Sequence, residues 1–74
     1  MSSISASALQ ITVNGTARTC ANLSSVRDLV SELALDPRKI AIEQNGRIIP
    51  RSAYDTTVIT AGDAIEIVNF VGGG

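Results

Sequence analysis

Seventy-four residues with a net charge of −1 make one domain, near the lower limit for folding without disulfide or metal staples. A single cysteine, Cys20, and no histidine exclude a disulfide framework, a cysteine-built metal site, His acid/base catalysis and His ligation. Lys and Arg are spread singly except at Arg38-Lys39, which gives neither a basic stripe for nucleic acid nor a polybasic patch for a membrane.

Residues 1–7 hold no basic residue ahead of an apolar stretch, so they read as a short disordered lead-in and not as a signal peptide. No apolar run approaches the roughly 18 residues of a membrane span. A reducing cytoplasm is the expected compartment, with an organelle stroma as the alternative. Ala8 to Val13 alternates apolar and polar, the period of a half-buried strand. Asn14-Gly15 is a strong hairpin signal, and Thr16 to Ala21 reads as the returning strand. Ser25-Val26-Arg27-Asp28 has the form of a capping box. Val26, Leu29, Val30 and Leu33 then recur at helical spacing on one face, and Asp36-Pro37 is expected to end the helix.

Ile40 to Glu43 is a third strand, Asn45-Gly46 a second hairpin signal, and Arg47-Ile48-Ile49 its return. Pro50 to Ala53 breaks the pattern, with room for a short helical turn near Tyr54. Ala61-Gly62-Asp63 is a tight turn before the last strand, Ile65 to Val71. Nine Ile, six Val and five Leu against one Phe and one Tyr make the core aliphatic. The order β-β-α-β-β-β predicts an α+β fold, a mixed sheet of four or five strands with one main helix on one face. The strand after the helical crossover is expected to lie parallel to its sheet neighbour.

The sequence ends Val71-Gly72-Gly73-Gly74. Gly has no side chain to pack and loses the most backbone entropy on ordering, so three in a row serve a domain poorly as structure. They suit a flexible tail, residues 72–74, whose carboxylate enters a narrow active site. The domain proper is then 8–71.

Two segments carry a resemblance. Asn45-Gly46-Arg47-Ile48-Ile49-Pro50-Arg51 and the ending from Ala61-Gly62-Asp63 through Phe70-Val71-Gly72-Gly73-Gly74 are similar to the ThiS family, sulfur carriers of thiamine biosynthesis with a β-grasp, or ubiquitin-like, fold. The likeness covers nearly all of the chain after Ser7. It implies that the Gly74 carboxylate attacks the α-phosphate of ATP on an E1-like adenylyltransferase. Sulfur from a cysteine desulfurase, directly or through a relay protein, then displaces AMP. The resulting thiocarboxylate supplies thiazole synthase. The chain itself is implied to be a cosubstrate and not an enzyme, with no bound cofactor and ATP used in trans. Two other readings stay open: a sulfur carrier for molybdopterin synthesis, which the lack of a Pro-rich approach to the tail disfavours, and a ubiquitin-like modifier or binding module.

The tail suits that chemistry. A free α-carboxyl titrates near pKa ~3.5 and is anionic at neutral pH. Gly74 has no Cβ to hinder attack at its carbonyl, and Gly72 and Gly73 let the backbone thread a slot. In the last strand, Val68 and Phe70 share the face of Glu66, which turns from charged to apolar just before the tail. Val68, Phe70 and Val71, with Arg51, are the expected partner-binding residues. The alternative for Phe70 is a place in the core. Cys20 reads as a small strand residue, Asp28 and Glu32 as a solvated helix face, and Asn45-Gly46 as a turn with no ligand role.

Overall fold

Alternating burial along the chain builds a five-stranded sheet. A computed structural model describes residues 8–70, and within them β1 (Ala8–Val13), β2 (Thr16–Ala21), α1 (Val26–Glu32), β3 (Ile40–Gln44), β4 (Arg47–Ile49) and β5 (Ala64–Asn69) follow in chain order. The proposed lead at 1–7 and the tail at 72–74, with Val71, lie outside the described residues. Two 3₁₀ turns, Pro37–Lys39 and Arg51–Ala53, complete the elements. The sheet order is β2-β1-β5-β3-β4. It is the mixed sheet with a single α-helix that the segment order predicts, and the fold is of the ubiquitin-like, β-grasp type.

Both hairpins turn at Asn-Gly. Asn14 and Gly15 have φ of 51° and 82°, and Asn45 and Gly46 have 53° and 83°. These are the paired positive φ values of a type I′ turn, whose twist matches that of the flanking strands.

The parallel pair is not where the crossover argument puts it. The strand after the helix, β3, runs antiparallel to both of its neighbours, β5 and β4. The one parallel pairing joins β1 to β5, with Thr12 opposite Ala64 and Val13 opposite Ile65. The connection through α1 carries the chain across a gap one strand wide. The last strand fills that gap, so the central strand of the sheet is also the last in sequence.

Helix α1 starts as the capping box predicts. Ser25 Oγ accepts from the Asp28 amide at 3.1 Å, and Asp28 Oδ2 accepts from the Ser25 amide at 2.9 Å. Two more first-turn amides are satisfied from outside the helix: Val26 donates to the Thr57 carbonyl and Arg27 to the Tyr54 carbonyl. The helix ends earlier than Asp36-Pro37. Its last residue is Glu32, with Leu33 as C-cap. Ala34 turns left-handed at φ 59°. The Ala34 amide reaches the Ser31 carbonyl and the Leu35 amide the Val30 carbonyl, the bonding pattern of a Schellman stop. Pro37 opens the following 3₁₀ turn, capped by Asp36.

The core lies between the helix and one sheet face. Val26, Leu29 and Val30 pack against Ile11, Ile42, Ile65 and Ile67, with Ile59 and Tyr54 closing the side and Leu33 at the margin. Each fully buried Val, Leu or Ile contributes about 1.5–3 kcal/mol. Cys20 is buried among them on β2.

Candidate functional site

The residues closest to the tail sit on β5, and β5 is held from both sides. Antiparallel pairing to β3 runs from Gln44 opposite Ile65 to Ile40 opposite Asn69. Past the strand end, the Phe70 amide still donates to the Lys39 carbonyl at 2.8 Å. On the other side the backbone pairing with β1 is short, and side chains extend it. Asn14 lies beyond the end of β1, and its amide group takes Ile67 as a further rung: Oδ1 accepts from the Ile67 amide and Nδ2 donates to the Ile67 carbonyl. Asn45 acts at the other end of the strand. Its Oδ1 accepts from the Ala64 amide at 2.9 Å, while its own amide donates to the Ala64 carbonyl at 2.8 Å. The asparagines of the two hairpin turns thus both grip the strand that leads to the tail.

Asp63 anchors the turn before β5. It is buried at 6% exposure. Its carboxylate accepts from the Thr60 amide and hydroxyl, Gln44 Nε2 and Asn45 Nδ2, all within 3.0 Å. Burial alone pushes this carboxyl up, but the donors from Thr60, Asn45 and Gln44 outweigh it and hold the pKa below the ordinary carboxylate value.

The predicted docking residues separate into two places. Ile65 and Ile67 face the core, leaving Glu66 and Val68 on the open face of the sheet. Val68 is 60% exposed and Phe70 56%, so Phe70 is a surface residue and not part of the core. Val68 lies opposite Ala41, and the next row across the open face is Glu66, Glu43 and Ile48. Ile48, exposed at 73%, is a further apolar side chain on this face, two strands from Val68 and in the row of the two glutamates; its sequence reading was only that of a returning strand. Val71 lies outside the described residues.

Arg51 sits elsewhere. It lines a pocket of about 400 Å³ between α1 and the 3₁₀ turns, together with Arg27, Ser31, Leu35, Arg38 and Tyr54. Burial pushes the Tyr54 phenol up, with Arg51 opposing, so it stays a neutral hydroxyl.

The one cysteine of the chain, Cys20, is a buried thiol. Burial, reinforced by the Glu32 carboxylate, pushes the Cys20 thiol up, away from the thiolate that sulfur chemistry requires. Among the described residues no group of His, Cys, Asp and Glu could hold a metal ion, and no helix is long and apolar enough to cross a membrane. Asp28 is engaged in the helix cap, and Glu32 lies 3.7 Å from Arg18 across the surface. What the arrangement provides is a central strand bonded on both sides and exposed apolar side chains, Val68 and Phe70, at its end.

Comparisons with known proteins agree with this geometry. The model of the ThiS family matches residues 11–74. The chain is 39% identical over 66 residues to a thiazole synthase of Paramagnetospirillum magneticum, an alignment covering 89% of this chain and 20% of that protein. It spans about a fifth of the length of the thiazole synthase relatives it matches. It is 36% identical over 50 residues to the sulfur carrier protein ThiS of Bacillus subtilis, covering 68% of this chain and 76% of that one. The crystal structure of the thiamine biosynthesis protein ThiS from Geobacter metallireducens superposes with a TM-score of 0.78 at 36% identity, over 89% of this chain and 100% of that chain.

Proposed function

This chain belongs to the ThiS family, and from that premise we propose that it is a sulfur carrier whose Gly74 carboxyl becomes a thiocarboxylate for thiazole formation in thiamine biosynthesis. The observation that carries the reading is that the family match runs through all three glycines, to residue 74. The chain acts as cosubstrate. An E1-like adenylyltransferase uses ATP to form the acyl-adenylate, because a carboxylate is a poor acyl donor until it has a leaving group. The outer sulfur of a desulfurase persulfide, directly or through a relay, attacks the acyl carbonyl and expels AMP, and a thiol then cleaves the S–S bond of the resulting acyl disulfide, leaving the thiocarboxylate and a disulfide. Thiazole synthase then takes the sulfur and returns the carboxylate.

The domain's part is positioning. Phe70 is tied to Lys39, the last residue of the 3₁₀ turn that leads into β3, so the tail starts from a defined point. Val68 and Phe70, with Val71 next in sequence, form the docking surface for the activating enzyme, with Ile48 at its far edge. Ordering the tail in a slot costs on the order of 1–2 kcal/mol per residue, and burial of these exposed apolar side chains offsets it.

The test is intact mass after incubation with the activating enzyme, ATP and a sulfur donor. A mass gain equal to sulfur replacing one oxygen, discharged by thiazole synthase, is the expected result. No gain, or a gain discharged only by a molybdopterin-synthase large subunit, overturns the assignment. Loss of ATP–pyrophosphate exchange on removal of Gly73 and Gly74, in a chain that still folds, locates the chemistry at the tail.

A further inference from the structure

The pocket beside α1 has a charge left over. Arg38 is held by Asp36 through bonds of 3.1 and 3.0 Å. The guanidinium and the Arg38 amide hold the Asp36 carboxyl down to about 2, so that pair stays ionised and mutually neutralised at working pH. Arg27 makes one contact, 3.3 Å to Asp55, with both side chains about two-thirds exposed. Such a pair is weak and free to exchange partners. Arg51 takes part in no ion pair among the described residues. Arg51 lines a pocket whose walls include the apolar Val30, Leu35 and Pro37. An ion pair made against such walls is screened less than one in open water.

The pocket also lies near the root of the tail. Pro37 and Arg38 line it, and the next residue, Lys39, accepts the Phe70 amide. The pocket wall is thus one residue away from the position that holds Phe70. We infer that the pocket is a second docking point for the protein that receives the tail, and that it takes an Asp or Glu side chain of that partner against Arg51 and Arg27. Arg51 presents a fork of donors suited to a carboxylate, and Arg27 swings from Asp55 to share the incoming charge. Ser31 lines the same pocket. Two fixed contacts, this one and the apolar surface at Phe70, set the rotation of the carrier on its partner as well as its distance.

This inference rests on the carrier reading above, and the experiment separates the two. The activating enzyme is assayed by ATP–pyrophosphate exchange against wild-type carrier, Arg51→Glu, Arg51→Lys and Arg47→Glu. Arg47 is an exposed residue of β4 outside the pocket, so Arg47→Glu makes the same change in net charge elsewhere. Arg51→Glu is expected to raise KM for the carrier about tenfold, the size of one charge-assisted contact, with kcat within about twofold. Arg51→Lys keeps the charge but loses the fork and falls between. Arg47→Glu stays near wild type, and the wild-type KM rises with salt more steeply than that of Arg51→Glu. Equal KM for Arg51→Glu and wild type overturns the inference while the carrier reading stands. Equal effects from Arg47→Glu and Arg51→Glu overturn it too, since net charge alone then acts. Concentration-dependent dimerisation of the free chain that Arg51→Glu abolishes assigns the pocket to a second copy and overturns it. No exchange with wild-type carrier overturns both readings.

Discussion

The side-chain amide of Asn14 bonds the peptide of Ile67 in both directions, accepting from its N–H at 2.8 Å and donating to its carbonyl at 3.2 Å, across 53 residues of sequence. A turn residue thereby acts as one more rung of the sheet. Asn14→Ala should lower stability by about 1–3 kcal/mol, through two lost bonds and an alanine at positive φ. Asn14→Asp keeps the acceptor and tolerates the φ, so it should cost less. Denaturant midpoints rank the three chains. Amide exchange at Ile67 should accelerate more than at Ile42, which lies in the same core but makes no such bond.

Asp63 sets an acid limit. Four donors hold its folded carboxyl below the unfolded value. A depressed carboxylate contributes stability that is fully present above the unfolded pKa, near ~3.9. That contribution is lost as pH falls through the folded value. Wild-type stability from this group should therefore be flat from neutral pH to roughly pH 5 and decline below about pH 4. Asp63→Asn replaces one acceptor by a donor facing donors. It should cost about 2–4 kcal/mol at pH 7 and flatten the acid limb. An unchanged acid limb in Asp63→Asn refutes the assignment.

Ala34 holds the helix stop at φ 59°, a region that costs an L-residue roughly 1–2 kcal/mol. Ala34→Gly should raise stability by up to about 1 kcal/mol, the relief being partly offset by the extra freedom of glycine in the unfolded chain. Thermal unfolding reads this directly, and Ala34→Val should move it the other way.

Phe70→Ala should leave stability within about 0.5 kcal/mol, because the side chain is more than half exposed and surface truncations cost little. Binding to the activating enzyme should weaken by about 2 kcal/mol if the ring is an interface anchor. A drop of about 3–5 kcal/mol in stability is the behaviour of a core Phe and contradicts the exposure found here.

The strands, the hairpins and the helix start were legible because each is a local code: alternation for β1 and β5, Asn-Gly for the turns, Ser25 to Asp28 for the cap. The helix stop was misread because Pro37 is a loud signal and Ala34 a silent one; nothing in an alanine announces a left-handed backbone. The place of β5 between β1 and β3 was out of reach, since pairing across some fifty residues leaves no periodic trace. The roles of Asn14 and Asn45 were hidden for the same reason. Their turns were plain, but what their side chains reach depends on a strand far down the chain. Asp63 was read as a turn residue, although a burial-prone environment on both sides of it, Ile59 and Ile65, is visible in sequence. Arg51 was grouped with Val68 among the expected partner-binding residues, and its separation from Val68 appears only when Pro50 turns the chain toward the helix.

Because β1 and β5 are parallel neighbours, Ala8 and Phe70 stand at opposite ends of the same double strand. A pull on the chain end at Phe70, resisted near Ala8, loads that pair lengthwise. The Thr12–Asp63 and Asn14–Ile65 backbone bonds and the Asn14–Ile67 rung then bear the load together and do not open one after another. A load applied at Phe70 thus meets a handle that resists peeling.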